Sequence, residues 1–201
     1  MAHRLTADVN GCGPHIGLFS HILPWKGHHV FLDAAALVAH RFPSARFYLV
    51  GATAVGVPTS YVESLHARAE TPPLAGCVRF VGPRSDIAPW MAAMDVVVHA
   101  SVAPEAFGLV IAEGMALGKS VVAADCGAPR ELLAHGETGY LAHPGDAQDL
   151  ARILEQVLER RDPQVECRAA AVARHSTCGS LRSSTCSRMR ARSCASPGCA
   201  R

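Results

Sequence analysis

Residues 95–125 read "DVVVHASVAPEAFGLVIAEGMALGKSVVAAD". The run 95–100 is β-branched and apolar on both faces, which marks a strand buried on both sides. A helical pattern fits 107–117. The run 120–125 is a second buried strand. Two such strands joined by a helix of this length form a parallel crossover unit. The unit predicts an α/β protein.

The rest of the body repeats this alternation. Strands are expected at 15–20, 45–51, 77–82 and 138–144. Helices are expected at 26–42, 57–70, 85–94, 128–136 and 146–161. Ser85 and Asp86 form a plausible cap for the helix 85–94, and Gly136 a plausible stop for the helix 128–136. Asp146 near the start of the last helix and arginines near its end suit the helix dipole. The expected architecture is a Rossmann-like parallel sheet with helices on both faces. Ligands in such sheets bind at the carboxyl ends of the strands. The loops 20–27, 51–56, 82–85, 100–108 and 125–128 are therefore the places to search for chemistry.

Composition divides the 201 residues into a body and a tail. Residues 1–166 hold all 17 acids and 12 of the 19 Lys and Arg, a balance of −5. Residues 167–201 hold the other seven basic residues, all arginine, a balance of +7. A nucleic-acid partner would rest on that tail alone, and is not expected of the body. Five of the eight cysteines also lie in the tail, without a C-x2-C pair, which argues against a zinc site. The expected division is an unstructured segment over 1–14, a Rossmann-like α/β domain over 15–165, and a basic, disordered Ser/Arg/Cys-rich tail over 166–201. The start lacks the apolar core of a secretory signal, so a cytoplasmic location is expected.

Four stretches carry chemistry. In the first, Gly108 lets a ligand approach the backbone closely where a helix begins. The opening amides of that helix have no carbonyl one turn earlier, and its dipole is positive there, which suits a phosphate. Glu105 sits beside this phosphate site, which makes sense for an acid that accepts hydrogen bonds from sugar hydroxyls. Glu113, eight positions on, can return to the same cleft and hold a second pair, such as a ribose diol. The plainer alternative makes Glu105 a helix-start acid and Glu113 a solvated one.

In the second stretch, "FSHILPWKGHHVF" (19–31), Lys26 can neutralise a phosphate as a point charge, and His21 can add a hydrogen bond. His28 and His29 read as surface histidines. In the third, Arg84 of "GPRSDIAPW" (82–90) stands at a strand end where it could meet a base or phosphate. The fourth, "CGAPRELLAHGETGYL" (126–141), reads as closure of the cleft floor.

Together these stretches resemble the retaining glycosyltransferases of the GT-B fold, family 4, the glycosyl transferases group 1. The carriers are Glu105-Ala-Phe-Gly-Leu-x3-Glu113, which matches that family's Glu-x7-Glu motif, and the segments "PWKGHHVFLDA", "FVGPRSDIAPWMAAMDVVVHAS" and "GAPRELLAHGETGYL" in the same order. The resemblance covers about 15–162. It implies one half of a GT-B fold, the C-terminal donor-binding half. It implies that Glu113 holds the nucleotide ribose and Lys26 the diphosphate. Glu105, as the catalytic residue, would hold the donor sugar and phosphates together with the backbone amides of Ala106, Phe107, Gly108 and Leu109. His21 and Arg84 complete the implied donor site. No cofactor and no metal are implied beyond the nucleotide-sugar substrate.

Three departures follow from the same comparison. The family usually has Arg where this chain has His21, and a neutral imidazole cannot grip phosphate with two donors as guanidinium does. The acceptor-binding N-terminal domain is expected as a missing partner, in cis or in trans, and peripheral membrane association is expected through the acceptor. The final helix of the family gives way to the Ser/Arg/Cys tail, for which a shifted reading frame is the expected origin. Two other readings stand beside this one: a non-catalytic nucleotide-sugar-binding module working with a separate half, and a basic-tailed nucleic-acid binder.

Overall fold

A computed structural model describes residues 13–160. The expected tail, and the expected N-terminal segment up to residue 12, lie outside the described residues. In chain order the elements are β1 (His15–Phe19), a 3-10 turn (Pro24–Lys26), α1 (His28–Arg41), β2 (Arg46–Val50), α2 (Thr59–Glu70), β3 (Val78–Gly82), α3 (Ile87–Ala92), β4 (Val96–His99), α4 (Leu109–Ala116), β5 (Ser120–Ala124), α5 (Pro129–Leu132), β6 (Tyr140–Ala142) and α6 (Ala147–Arg160).

The six strands form one sheet in the order β3-β2-β1-β4-β5-β6, with every pairing parallel. The period-2 geometry of a strand divides its side chains between two cores. Ile16, Leu18, Phe47, Leu49, Val96 and Val98 join residues of α1, α2 and α6 on one face. Phe19, Tyr48, Val50, Val97, Val121 and Ala123 join α3, α4 and α5 on the other. Both faces are therefore covered, which is why these strands read as continuous apolar runs rather than as alternating ones. Each of the Val, Leu, Ile and Phe side chains contributes on the order of 2 kcal/mol when fully buried. α6 turns a stripe of Leu150, Ile153, Leu154, Val157 and Leu158 inward, at the spacing an amphipathic helix requires.

Element order agrees with the sequence reading, and three details differ. The helix expected over 128–136 stops at Leu132. Leu133 is extended and 4% exposed, so it fills the second core instead of continuing the helix. Thr138 then captures the freed backbone, with its hydroxyl accepting from the Ala134 amide at 2.9 Å. Asp86 occupies the N-cap of α3 but makes no capping bond. Its carboxylate accepts two bonds from the Arg84 guanidinium, each 2.8 Å, and a charged bidentate partner outcompetes a backbone amide. α4 starts at Leu109, not Phe107, because Gly108 takes a left-handed conformation with φ 69°.

Candidate functional site at the sheet's switch point

β1 and β4 are neighbours, yet the chain leaves them in opposite directions. From β1 it passes through α1 to β2. From β4 it passes through α4 to β5, on the other face. Their carboxyl-end loops are drawn apart, and a crevice opens between them. A cavity of about 650 Å³ occupies this place.

The two loops are stitched at their base. The Val102 amide donates to the Trp25 carbonyl at 2.8 Å. Gly27 caps the 3-10 turn in a left-handed conformation, φ 71°, and a Cβ there would stand 1.9 Å from the Ala100 carbonyl oxygen. Only glycine allows this approach. The consequence is that Lys26, one residue earlier, stands over the end of β4.

There it meets Glu105. The Oε1 atom of Glu105 accepts from the Lys26 ammonium and from the Ser101 hydroxyl, and lies 3.2 Å from His99 Nε2. The Glu105 side chain is 10% exposed. Burial by itself would raise its pKa. The hydrogen bonds from His99, Lys26 and Ser101 outweigh burial and hold it down at about 2. Glu105 is thus a carboxylate at any physiological pH. From below, its backbone bridges Gly127, and its carbonyl accepts from the Ala128 amide at 3.1 Å. A Cβ on Gly127 would collide with that backbone. The segment 126–128 therefore braces the backbone of Glu105, and, contrary to the expected closure of the cleft floor, its own residues do not line the cavity.

α4 brings its first turn to the same cavity. Ala106, Phe107, Gly108 and Leu109 all line it. Glu113, one turn beyond Leu109, lines it too, and burial pushes its pKa up. His21 and Arg84 stand on the wall. Arg84 is held there by Asp86, and its guanidinium carbon lies 5.6 Å from the centre of the Trp90 ring. One cavity thus collects His21, Lys26, Arg84, Glu105, Glu113 and the start of α4. It offers an ammonium and a helix N-terminus to an anion, and two carboxylates to hydroxyls. Among the described residues, no three His, Cys, Asp or Glu side chains converge as metal ligands.

The structure adds residues that sequence reasoning passed over. His99 and Ser101 are both buried and both bond Glu105. A histidine ending an otherwise apolar strand was the available signal. Trp25 is 39% exposed at the cavity wall, 4.3 Å below the Lys26 ammonium. His28, read as a surface residue, is 1% exposed. Gly27 tucks the first turn of α1 against β4 and takes His28 with it. Burial there, the chief cause, lowers its pKa to about 4, so it is neutral, and its Nε2 pairs with Ser20 Oγ at 3.3 Å.

Comparison with known proteins shows the family to which the fold belongs. Residues 13–160 match the family model described as glycosyl transferases group 1. The phosphatidyl-myo-inositol mannosyltransferase of Mycolicibacterium smegmatis is 36% identical over 155 residues, 76% of this chain and 37% of that protein. A lipopolysaccharide core biosynthesis glycosyltransferase of Rhizobium meliloti is 31% identical over 77% of this chain and 42% of its own length. Among solved structures, HepE of Anabaena in complex with UDP superposes with a TM-score of 0.80 at 38% identity, covering 87% of this chain and 48% of that one. The chain spans about two fifths of the length of the curated relatives it matches. Those relatives are glycosyltransferases, HepE has also been captured with UDP-glucose, and this chain belongs to the glycosyl transferases group 1 family.

Proposed function

We propose that the described domain is the C-terminal, donor-binding half of a retaining GT-B glycosyltransferase. The observation that carries this reading is the meeting of Lys26 and Glu105 at the switch point, beside the first turn of α4. The donor is a nucleotide-sugar. Glu113 accepts from the ribose diol, and Lys26 and the α4 amides hold the diphosphate. Glu105 accepts from the sugar's hydroxyls. Arg84, fixed by Asp86 and Trp90, borders the base, and His21 adds a donor near the phosphates.

The catalytic logic is electrostatic. As the anomeric carbon–oxygen bond breaks, negative charge builds on the departing nucleoside diphosphate. Once the bound donor has drawn Lys26 to its diphosphate, the ammonium and the helix N-terminus stabilise that charge without further reorganisation as the bond breaks. They carry it without a metal. The acceptor and its pocket belong to the other half, in cis or in trans. Encounter with an acceptor at a membrane surface, on the cytoplasmic side, is part of the same reading. Among the described residues no helix is long and apolar enough to cross a membrane.

Isothermal titration of the full chain with UDP, GDP, UDP-glucose and GDP-mannose, with a chelator present, tests the proposal. At least one nucleoside diphosphate should bind. No heat with any of the four would sink it.

A further inference from the structure

Three donors crowd one oxygen of Glu105. Lys26, Ser101 and His99 all address Oε1, and among the described residues no donor reaches Oε2. The carboxylate is gripped on one side and open on the other. Of the three, Lys26 is also the cation that a diphosphate would draw away. His99 and Ser101 remain, and both are held by the fold: they are 6% and 1% exposed, at and just beyond the end of β4.

Proton counting assigns the histidine's role. The Ser101 hydroxyl has a single proton, and it goes to Glu105 Oε1, the closer of its two contacts. Ser101 Oγ can then only accept in its 3.3 Å contact with His99 Nε2. Nε2 must therefore carry a proton, which it shares between Ser101 Oγ and Glu105 Oε1. The other ring nitrogen, Nδ1, is buried without a hydrogen-bond partner among the described residues. Among the described residues, the ring's hydrogen-bonding contacts are thus those of Nε2 alone.

We infer that His99 is a positioning residue: its Nε2–H holds Glu105 with Oε2 turned to the donor sugar after Lys26 has moved to the diphosphate. The inference rests on the donor-binding reading. It assigns His99 to the sugar end of the donor and not to the nucleotide end, where Glu113 and the α4 amides act. Loss of the Nε2 donor should let Glu105 rotate, so that the sugar loses its acceptor while the nucleotide keeps its contacts.

Two amide substitutions separate this from a packing role. Gln places its side-chain N–H where Nε2 stands. Asn is one carbon shorter, and its amide falls near Nδ1, out of reach of Glu105. Both bury a neutral amide, so their folding costs are comparable, and thermal melts check this. UDP and UDP-glucose, and GDP and GDP-mannose, are titrated into the full chain with each substitution. In the pair that binds, H99N should weaken the nucleotide-sugar about tenfold, as expected for a lost hydrogen bond to a charged group, and leave the nucleoside diphosphate within about twofold. H99Q should restore the sugar-dependent part. Equal losses for both ligands in H99N, an unchanged ratio, or an H99Q as weak as H99N would each overturn the role. Failure of the unsubstituted chain to bind either diphosphate would overturn the donor-binding reading, and this inference with it.

Discussion

Gly27→Ala tests the seam on which the site is built. Gly27 sits at φ 71°, and a Cβ there would meet the Ala100 carbonyl oxygen at 1.9 Å, its carbon at 2.8 Å and its Cβ at 3.3 Å. The left-handed conformation alone costs an alanine about 1–2 kcal/mol. The collision is with backbone, so no rotamer relieves it. The end of β4 and the start of α1 must separate by about 1 Å, which disturbs a packed core at about 1–3 kcal/mol more. The sum is roughly 3 kcal/mol. For a domain of this size that lowers the melting temperature by about 10 °C. Circular dichroism melts of both proteins measure the first effect. The same separation carries Lys26 away from the first turn of α4, so titrations of the nucleoside diphosphate that binds should weaken in the surviving folded protein. A melting temperature within about 2 °C of the parent, with unchanged binding of that diphosphate, would refute the close approach of the two loops.

Further outcomes follow from the charges and the core. Glu105 has its pKa depressed to about 2, so its contribution is fully present above the ordinary carboxylate value and is lost as pH falls through it toward 2. Urea unfolding at pH 5 and pH 3 should show the parent losing about 2 kcal/mol more than Glu105→Gln over that step; equal losses would mean the carboxylate is not held as described. Trp90 is 1% exposed, and its ring N–H is buried without a hydrogen-bond partner among the described residues. Trp90→Ala should therefore cost about 3–5 kcal/mol by leaving a void, whereas Trp90→Phe should cost about 1 kcal/mol, since it also removes the unsatisfied donor. Similar costs for the two would contradict that packing.

The alternation of buried strands and amphipathic helices made the fold legible, because both faces of the sheet are covered and each strand declares itself by composition. What stayed hidden was set by contacts distant in sequence. His28 looks like one of two surface histidines until Gly27 is known to press against Ala100. Asp86 looks like a cap until Arg84 claims it with two bonds. "ELLAHG" has helical spacing, yet Leu133 is pulled into the core and Thr138 takes the backbone behind it. In the candidate site, Glu105, Glu113, Lys26 and Gly108 were legible as residues gathered around one expected helix start, and the structure brings all four to one cavity. His99 was not, because its only sequence signature is one polar residue at the end of "VVVH", and its significance lies in a 3.2 Å contact six residues away in sequence.

The central claim is that Glu113 and Glu105 divide one donor between them, nucleotide to the first and sugar to the second. Parallel titrations of UDP and UDP-glucose, or of the guanosine pair, into Glu113→Ala and Glu105→Ala test it most directly. The account predicts that Glu113→Ala abolishes binding of both ligands with the fold intact, and that Glu105→Ala weakens the nucleotide-sugar well beyond the nucleoside diphosphate. Unchanged diphosphate binding in Glu113→Ala, or equal losses of both ligands in Glu105→Ala, would contradict it.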